Sequence, residues 1–241
     1  MLEERIKVGQ VDRLDEFHAR ELDCDLALLR QPGLHVLASE RRARPGWGGY
    51  TVPLIALSTP RGGIISCRPE LLDPVRRELA SGPLMLGEPL GEVEFERLRR
   101  VVRRAVPYAY NLSGSVLYCD PDHFRPLSSE AERLPPGDPR GLDVRRRFDG
   151  EIFALRGGRG EIASWAAIKL KSDDVWEIAV VTDAAYRGRG YAKQVVSAAT
   201  EHILRCGRLA LYVHDRTNHA SARVCRSLGY VEYAEEFFCE Y

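Results

Sequence analysis

Lysine is scarce in this chain of 241 residues, and its positive charge comes almost entirely from arginine. Lys7, Lys169, Lys171 and Lys193 are the only lysines, and 35 Lys and Arg residues balance 35 Asp and Glu residues. The formal net charge is therefore zero. This balance gives no support to a strongly electrostatic partner such as bulk nucleic acid or an anionic membrane. We expect neither a nucleic-acid partner nor a membrane partner.

The sequence also lacks a paired cysteine motif and a long apolar run. Its six cysteines are scattered and none forms a CxxC pair, so neither a metal site nor a redox motif is indicated. The N-terminal stretch MLEERIKVGQ is charged and has no apolar core of a signal peptide, and no run reaches the length of a membrane span. We therefore expect a cytoplasmic protein with no metal, whose thiols are small, buried and reduced.

What is present suits one large or two modest domains with a buried core, because 44% of the residues are hydrophobic. The segment Asp120–Gly141 is rich in Pro, Gly, Asp and Ser, which is typical of a domain boundary. We place the boundary at its start, giving an N-terminal domain of residues 1–120 and a C-terminal domain of residues 121–241. Both halves read as mixed α/β.

Hydrophobic periodicity predicts the elements of the first half. A clear amphipathic helix is predicted over Glu92–Val106, with Phe95, Leu98, Val102 and Val106 on one stripe. Its arginine-rich end is either a phosphate contact or a solvated face, and zero net charge favours the solvated face. The other predictions are helices over Val11–Leu29 and Glu70–Leu79, and strands over Gly33–Glu40, Gly49–Glu70 (a hairpin) and Tyr110–Cys119.

The second half alternates strands and helices more sharply. The helix after Tyr186 places Ala192, Val195, Val196, Ala199 and Ile203 on one core-facing stripe. Before it we predict strands over Glu151–Gly157, Glu161–Lys171 and Val175–Thr182, and after it a strand over Arg208–His214, a helix over Asn218–Gly229 and a final strand.

A glycine-rich stretch, YRGRGYAKQV, lies between the strand Val175–Thr182 and the following helix. Glycines there allow unusual backbone angles, and successive N–H groups at a helix start form an anion site. A P-loop requires GxxxxGK[ST], which is absent. A dinucleotide loop requires GxGxxG, but Lys193 occupies the third glycine position. Neither of these phosphate motifs fits.

The motif R-x-x-G-x-A does fit, and with EIAVVTDAAY before it the stretch resembles the coenzyme A signature of the GNAT superfamily of N-acetyltransferases. A second signature of that family follows in order, with Asn218 and Ser221 before Gly229 and Tyr230. The resemblance covers roughly Phe124–Tyr241, and in motif it is similar to the glycine N-acyltransferase-like branch. It implies a GNAT fold, a mixed and mostly antiparallel twisted sheet flanked by helices, in the C-terminal half. It also suggests that the smaller first half is a degenerate GNAT-like or acceptor-side domain.

The resemblance implies acetyl-CoA as donor substrate and assigns a set of binding residues. Backbone groups of Val180, Val181 and Thr182 are expected to pair with the pantetheine arm. Asn218, with Ser221, is expected to contact that arm, although a plain helix N-cap explains Asn218 equally well. The pyrophosphate is expected to lie beside Arg187 on the N–H groups of Gly188, Arg189, Gly190, Tyr191 and Ala192.

Acyl transfer to an amine needs a proton acceptor. Glu177 interrupts an apolar strand, so we expect a raised pKa and a role as general base; an edge glutamate, or proton removal through water, is the alternative. Cys225 stands where many family members carry a general-acid tyrosine. It is either that acid or a packed residue, in which case water or one of Tyr212, Tyr230 and Tyr233 serves instead, or no acid is needed.

The predicted function is thus an acetyl-CoA-dependent N-acetyltransferase in which an amine attacks directly in a ternary complex. The alternative is a non-catalytic acyl-CoA binder. A small-molecule or peptide amine is the expected acceptor. The cluster Arg145–Arg147 offers an anion contact to that acceptor, but adjacent side chains on a helix point in different directions, which favours a solvated surface.

Overall fold

The structure is a computed structural model that describes residues 2–80 and 90–241. It divides into two compact units: unit 1 comprises Met1–Val116 and Tyr233–Tyr241, and unit 2 comprises Leu117–Glu232. We predicted a domain boundary near residue 120 and assigned the C-terminal strand to the second domain. The division instead falls between Val116 and Leu117, and the C-terminal residues belong to unit 1 because they pair with one of its strands.

Unit 1 combines helices with one sheet whose strand order is β1-β3-β2-β10-β4. Strands β1 and β3 are parallel, whereas β2 is antiparallel to both β3 and β10. The predicted hairpin is confirmed as β2 and β3. The helices are α1 (Leu2–Leu22), α2 (Leu26–Leu29), α3 (Leu72–Ala80) and α4 (Glu92–Ala105), and the strands are β1 (Gly33–Ala38), β2 (Leu54–Thr59), β3 (Gly62–Cys67), β4 (Tyr110–Cys119) and β10 (Val231–Glu240).

The first predicted helix, Val11–Leu29, is wrong as one continuous element. Asp23 adopts a left-handed conformation, with φ of 56°, which ends α1 at Leu22. A second, short helix starts after Asp25. The apolar periodicity continues across this break, so periodicity alone could not show it.

Helix α4 confirms the predicted amphipathic pattern. Phe95, Leu98 and Val102 are fully buried, and Phe95 stacks on Phe237 with ring centroids 5.6 Å apart. On the polar side, Arg100 pairs with Glu78 at 2.8 Å. The arginine-rich face is therefore at least partly neutralised by carboxylates, as expected of a solvated face.

Unit 2 carries the second sheet segment, with strand order β9-β8-β7-β6-β5. The β5–β6, β6–β7 and β7–β8 pairs are antiparallel, and β8 and β9 are parallel because helix α6 crosses over between them. The elements are β5 (Glu132–Arg133), α5 (Leu142–Arg145), β6 (Ile152–Arg156), β7 (Ile162–Lys169), β8 (Val175–Thr182), α6 (Tyr191–Arg205), β9 (Leu209–Asp215) and α7 (His219–Ser227).

The core of unit 2 lies between the sheet and helices α6 and α7. The stripe predicted for α6 is confirmed, since Val195, Val196, Ala199 and Ile203 are fully buried and Ala192 packs at the core edge. The short strand β5 lies within the segment that composition marked as a domain boundary, and α5 begins directly after that segment. Among the described residues, none forms a helix long and apolar enough to cross a membrane.

Candidate active site

The strands β8 and β9 are paired only in their first part and separate beyond it. Their ladder consists of three pairs, of which Glu177 with Leu211 is the last, yet β8 runs on to Thr182 and β9 to Asp215. On its other side β8 stays paired with β7 as far as Thr182. The β9-facing edge of Val180–Thr182 is therefore left without a strand partner in the part of the chain that the structure describes. Unpaired backbone groups of this kind are available to an extended ligand.

The glycine loop lies at the end of this opening. The Asp183 side chain caps a short turn by accepting from the N–H of Ala185 at 2.9 Å. Gly188 and Gly190 have φ of 77° and 81°, a left-handed backbone that favours glycine, and Gly190 is the N-cap of α6. A Cβ atom at either position would meet no heavy atom within 4 Å. The loop thus leaves open space over the N-terminus of α6, which fits the approach of a pyrophosphate.

The two arginines of the loop help to shape it. Arg187 donates from Nε to the carbonyl of Thr182 at 3.3 Å, and the Arg189 guanidinium lies over the Tyr186 ring at 5.5 Å. Tyr186 also stacks on Tyr191, with ring centroids 5.8 Å apart. Both arginines are consequently held beside the loop, where they add positive charge near the N-terminus of α6.

A cleft of about 580 Å³ lies beside the loop, a feature that the sequence did not indicate. The turn between β6 and β7 forms one wall, and the Tyr186 hydroxyl closes part of it by donating to Glu161. A Cβ atom at Gly157 would lie 2.2 Å from that hydroxyl, so a larger residue there would have to displace the Tyr186 side chain. The lining residues are Gly158, Arg159, Glu161, Ile162, Asp183, Ala185 and Tyr186.

Asn218 forms the N-cap of α7. Its Oδ1 accepts from the N–H of Ser221 at 3.0 Å, so the structural explanation of Asn218 is confirmed. Contact with a coenzyme stays a prediction, and the exposed position of Asn218 permits it.

The structure explains why position 229, in the second signature, is occupied by glycine. Its φ is +89°, and a Cβ atom there would lie 1.8 Å from the carbonyl oxygen of His123. The neighbouring Arg125 N–H donates to the Leu228 carbonyl at 2.9 Å, which holds the two segments together. The tight packing therefore requires glycine.

The expected raised pKa of Glu177 is wrong. Burial alone raises the pKa of this carboxyl, but the attraction of Lys169 and Lys171 outweighs it, and the pKa lies below its ordinary value. Lys169 donates directly to Glu177 from the neighbouring strand, and the Lys171 ammonium is 4.0 Å away. The sequence-based argument considered desolvation only. Antiparallel pairing places Lys169 opposite Glu177. Lys169 and Lys171 are two of the four lysines in the chain.

Cys225 and the three tyrosines are already engaged. Cys225 is fully buried, its thiol donates to the Ala222 carbonyl at 3.3 Å, and burial raises its pKa to about 11. The hydroxyl of Tyr212 hydrogen-bonds to Ser221 at 2.8 Å and that of Tyr230 to Thr200 at 2.7 Å. Tyr233 belongs to unit 1 and donates to Asp15 at 2.8 Å. Cys225 and Tyr233 already donate their protons, and each therefore needs a rearrangement before it can act as an acid.

The arginine cluster Arg145–Arg147 does not converge on one point. Arg145 donates to the Leu134 carbonyl, Arg146 pairs with Asp143 at 3.3 Å, and Arg147 lies over the Phe148 ring. The prediction of divergent side chains is confirmed. Within residues 2–80 and 90–241, no three His, Cys, Asp and Glu side chains come together in a way that could hold a metal ion.

Comparison with known proteins identifies the class that this topology and loop define. Residues 118–230 match the model of the acetyltransferase (GNAT) family, so this part of the chain is a GNAT acetyltransferase domain. Members of the family are acyltransferases that use acyl-CoA donors. The resemblance inferred from the two signatures is thereby confirmed, whereas the glycine N-acyltransferase-like branch stays a prediction.

Solved structures of this superfamily are similar to the chain at low identity. A GNAT-family protein from Novosphingobium aromaticivorans shows 17% identity and a TM-score of 0.47, covering 54% of this chain and 65% of the other. A GCN5-related N-acetyltransferase from Kribbella flavida shows 18% identity and a TM-score of 0.44, covering 59% of this chain and 63% of the other. A GNAT-family acetyltransferase from Colwellia psychrerythraea shows 14% identity and a TM-score of 0.45, covering 73% of this chain and 76% of the other.

The chain thus spans less than two thirds of the first two of these structures. No curated protein matched.

Proposed function

We propose that unit 2 is an acyl-CoA-dependent N-acyltransferase that passes an acetyl or related acyl group to a primary amine by direct attack in a ternary complex. The observation that carries this proposal is the opening between β8 and β9, with the Gly188–Gly190 loop and the N-terminus of α6 at its end. When bound, the donor supplies an activated acyl carbonyl and a thiol leaving group.

Each part of the opening has a distinct task in this proposal. The N–H groups from Gly188 to Ala192, with the dipole of α6 behind them, bind the pyrophosphate. The unpaired edge of Val180–Thr182 pairs with the pantetheine arm. An N–H group of that edge polarises the acyl carbonyl, and one such donor contributes about 3 kcal/mol to transition-state stabilisation.

The proton of the attacking amine requires an acceptor near the same opening. Glu177 lies where β8 and β9 separate and is ionised at neutral pH, because its pKa is lowered. A low pKa makes it a weak base, so Glu177 is a candidate whose contribution has to be measured. The variant Glu177→Gln removes the charge while keeping the shape, and a rate unchanged within about threefold would exclude the base role.

The proposal is tested with acetyl-CoA and a panel of primary amines, namely an amino acid, a polyamine, an amino sugar and a lysine-containing peptide. We expect acetyl-CoA to raise Tm and at least one amine to cause release of free coenzyme A. The assay uses Cys206→Ser protein, because Cys206 is exposed and would itself react with a thiol reagent. No thermal shift at millimolar acetyl-CoA would refute the proposal.

Direct attack makes a second prediction. Mass spectrometry of the enzyme incubated with acetyl-CoA alone should show no acetylated protein. A stoichiometric acetyl adduct that an amine then removes would instead indicate a covalent enzyme intermediate.

A non-catalytic acyl-CoA binder is the second candidate. The observation that favours it is Cys225, which stands at the usual tyrosine position and is buried and hydrogen-bonded within its own helix. This candidate predicts the same thermal shift with no coenzyme A release from any amine in the panel.

A further inference from the structure

We propose that His214 is the proton acceptor of the transfer reaction: its Nε2 takes a proton from the attacking amine and returns it to the departing thiolate. This inference rests on the proposed acyltransferase function. It assigns the proton to a residue that the sequence motifs did not mark.

The position of His214 follows from the register of β8 and β9. Glu177 pairs with Leu211 in a parallel ladder, and the two strands separate beyond that pair. Val180 and His214 each lie three residues further on, so His214 stands level with the start of the unpaired edge, across the opening. It thus occupies the β9 side of the space assigned to the acyl-bearing end of the donor.

Its side chain lies on the side of the sheet that carries α6 and α7. Ala210 and Tyr212 point into the core formed with these helices, and side chains two residues apart share a face. The rings of Tyr212 and His214 have centroids 6.4 Å apart. His214 is the next residue of this row towards the open end of β9.

The protonation pattern of His214 is set by its surroundings. Nδ1 lies 2.9 Å from the carbonyl oxygen of Asp215. That oxygen can only accept, so Nδ1 carries a hydrogen, and in the neutral imidazole the lone pair then lies on Nε2. The adjacent backbone thus favours the tautomer in which Nε2 is the acceptor.

The lone pair on Nε2 has no use within the protein itself. His214 is 6% exposed, and Nε2 is buried without a hydrogen-bond partner among the described residues. Leaving a buried acceptor unpaired is unfavourable, and such groups in native proteins usually meet a ligand or a water. An N–H or S–H group entering the opening would satisfy it.

The other candidates for proton transfer are occupied. Glu177 is paired with Lys169, the Cys225 thiol donates within its helix, and the Tyr212 hydroxyl is bonded to Ser221. Tyr230 is bonded to Thr200 in the core. Of these side chains and His214, only the imidazole has a buried nitrogen with no hydrogen-bond partner among the described residues.

The proposed step is balanced without any further reactant. The amine nitrogen attacks the thioester carbonyl carbon and forms the amide bond, while the carbon–sulfur bond breaks and its electron pair leaves on sulfur. The amine proton moves to Nε2, giving an imidazolium, and then moves to the thiolate. The products are an amide, a free thiol and neutral His214, and no group is oxidised or reduced.

Two variants separate proton transfer from hydrogen bonding. In His214→Asn the amide nitrogen can replace Nδ1 as donor to Asp215, but nothing replaces Nε2. In His214→Gln the amide can reach the position of Nε2 and accept a hydrogen bond, but it cannot take up a proton. We expect kcat to fall at least about 100-fold in both, the usual size of a general-base contribution. The Kd of acetyl-CoA should stay within about threefold of the wild-type value.

Each outcome decides the question. Full activity in either variant overturns the proton role. Loss in both with acetyl-CoA still bound supports it, and recovery of His214→Ala by added imidazole supports it further. Should the variants fail to fold, ¹⁵N NMR of histidine-labelled wild-type protein at neutral pH decides, because a protonated Nε2 would refute the assignment. Wild-type protein that neither binds acetyl-CoA nor turns over overturns the proposed function and this inference with it, whereas active wild type with active variants overturns this inference alone.

Discussion

Gly190 gives the sharpest test of the coenzyme loop, because the chain offers a matched control at the other end of the same helix. Gly190 precedes α6 with φ of 81°, and Gly207 follows it with φ of 70°. A Cβ atom would meet no neighbour within 4 Å at either position. Alanine should therefore cost the same backbone strain at both, about 1–2 kcal/mol. The two variants differ only in which end of α6 they alter.

Only Gly190→Ala should weaken acyl-CoA binding. Its methyl group enters the space over the helix N-terminus and displaces the pyrophosphate from one charge-assisted hydrogen bond, worth about 1.5–3 kcal/mol. This loss corresponds to a Kd about 10- to 100-fold weaker. Isothermal titration with acetyl-CoA measures Kd, and thermal unfolding checks that the two variants are equally stable. Equal Kd values for Gly190→Ala and Gly207→Ala would refute the assignment of the loop.

Three further predictions concern packing, charge and thiol reactivity. Gly229→Ala should lower the free energy of unfolding by at least about 3 kcal/mol in urea titration, because it places a Cβ atom 1.8 Å from a carbonyl oxygen on a left-handed backbone. The control Gly137→Ala, whose Cβ atom would meet no neighbour, should change the free energy of unfolding by less than about 0.5 kcal/mol. Similar values for both variants would contradict the packing at Gly229. Lys169→Met should destabilise the protein by about 3–5 kcal/mol at pH 7, because it removes one partner of a buried charge. Because the pKa of Glu177 is lowered, its ion pair stabilises the protein above the unfolded pKa, and this stabilisation is lost as the pH falls through the folded pKa. The stability difference between Lys169→Met and wild type should therefore shrink in urea titrations towards pH 4. A difference independent of pH would refute the charge argument. A thiol reagent should modify one cysteine rapidly in the native protein, and Cys206→Ser should abolish that fast phase, because Cys206 is the exposed one among the six. A fast phase that persists in the variant would contradict the protection of the other five, of which Cys24 is half-buried and four are buried.

The donor loop could be predicted from sequence because its constraints are local. The glycines at 188 and 190 are required by positive φ, and the α6 stripe follows helical periodicity over Ala192–Ile203. Both requirements act within about 20 residues of chain, and so they leave a readable pattern. The glycine at 229 also left a signal, although its cause, the approach of His123, is visible only in the structure.

The proton chemistry could not be predicted in the same way, because it depends on contacts between strands. The pKa of Glu177 is decided by Lys169 across the β7–β8 pair, and an argument from desolvation alone gave the opposite direction. His214 looked like the last residue of an ordinary strand. Its relevance depends on where β8 and β9 separate, and on the hydrogen bond to the Asp215 carbonyl, neither of which has a sequence signature.

Donor binding and proton transfer depend on different groups, and this difference bears on the choice between an enzyme and a non-catalytic acyl-CoA binder. In the proposed function, backbone groups and the glycine loop recognise the donor, and we expect them to tolerate the replacement of a distant side chain such as that of Cys225. On that proposal, the absence of tyrosine at that position leaves donor binding untouched and removes only one way of protonating the thiolate. If the imidazole of His214 carries the proton in both directions, no separate acid is required, because the proton released by the amine is the one that the thiolate needs. The replacement at Cys225 is then compatible with turnover, and the activity of the His214 variants, rather than the missing tyrosine, decides between the two functions.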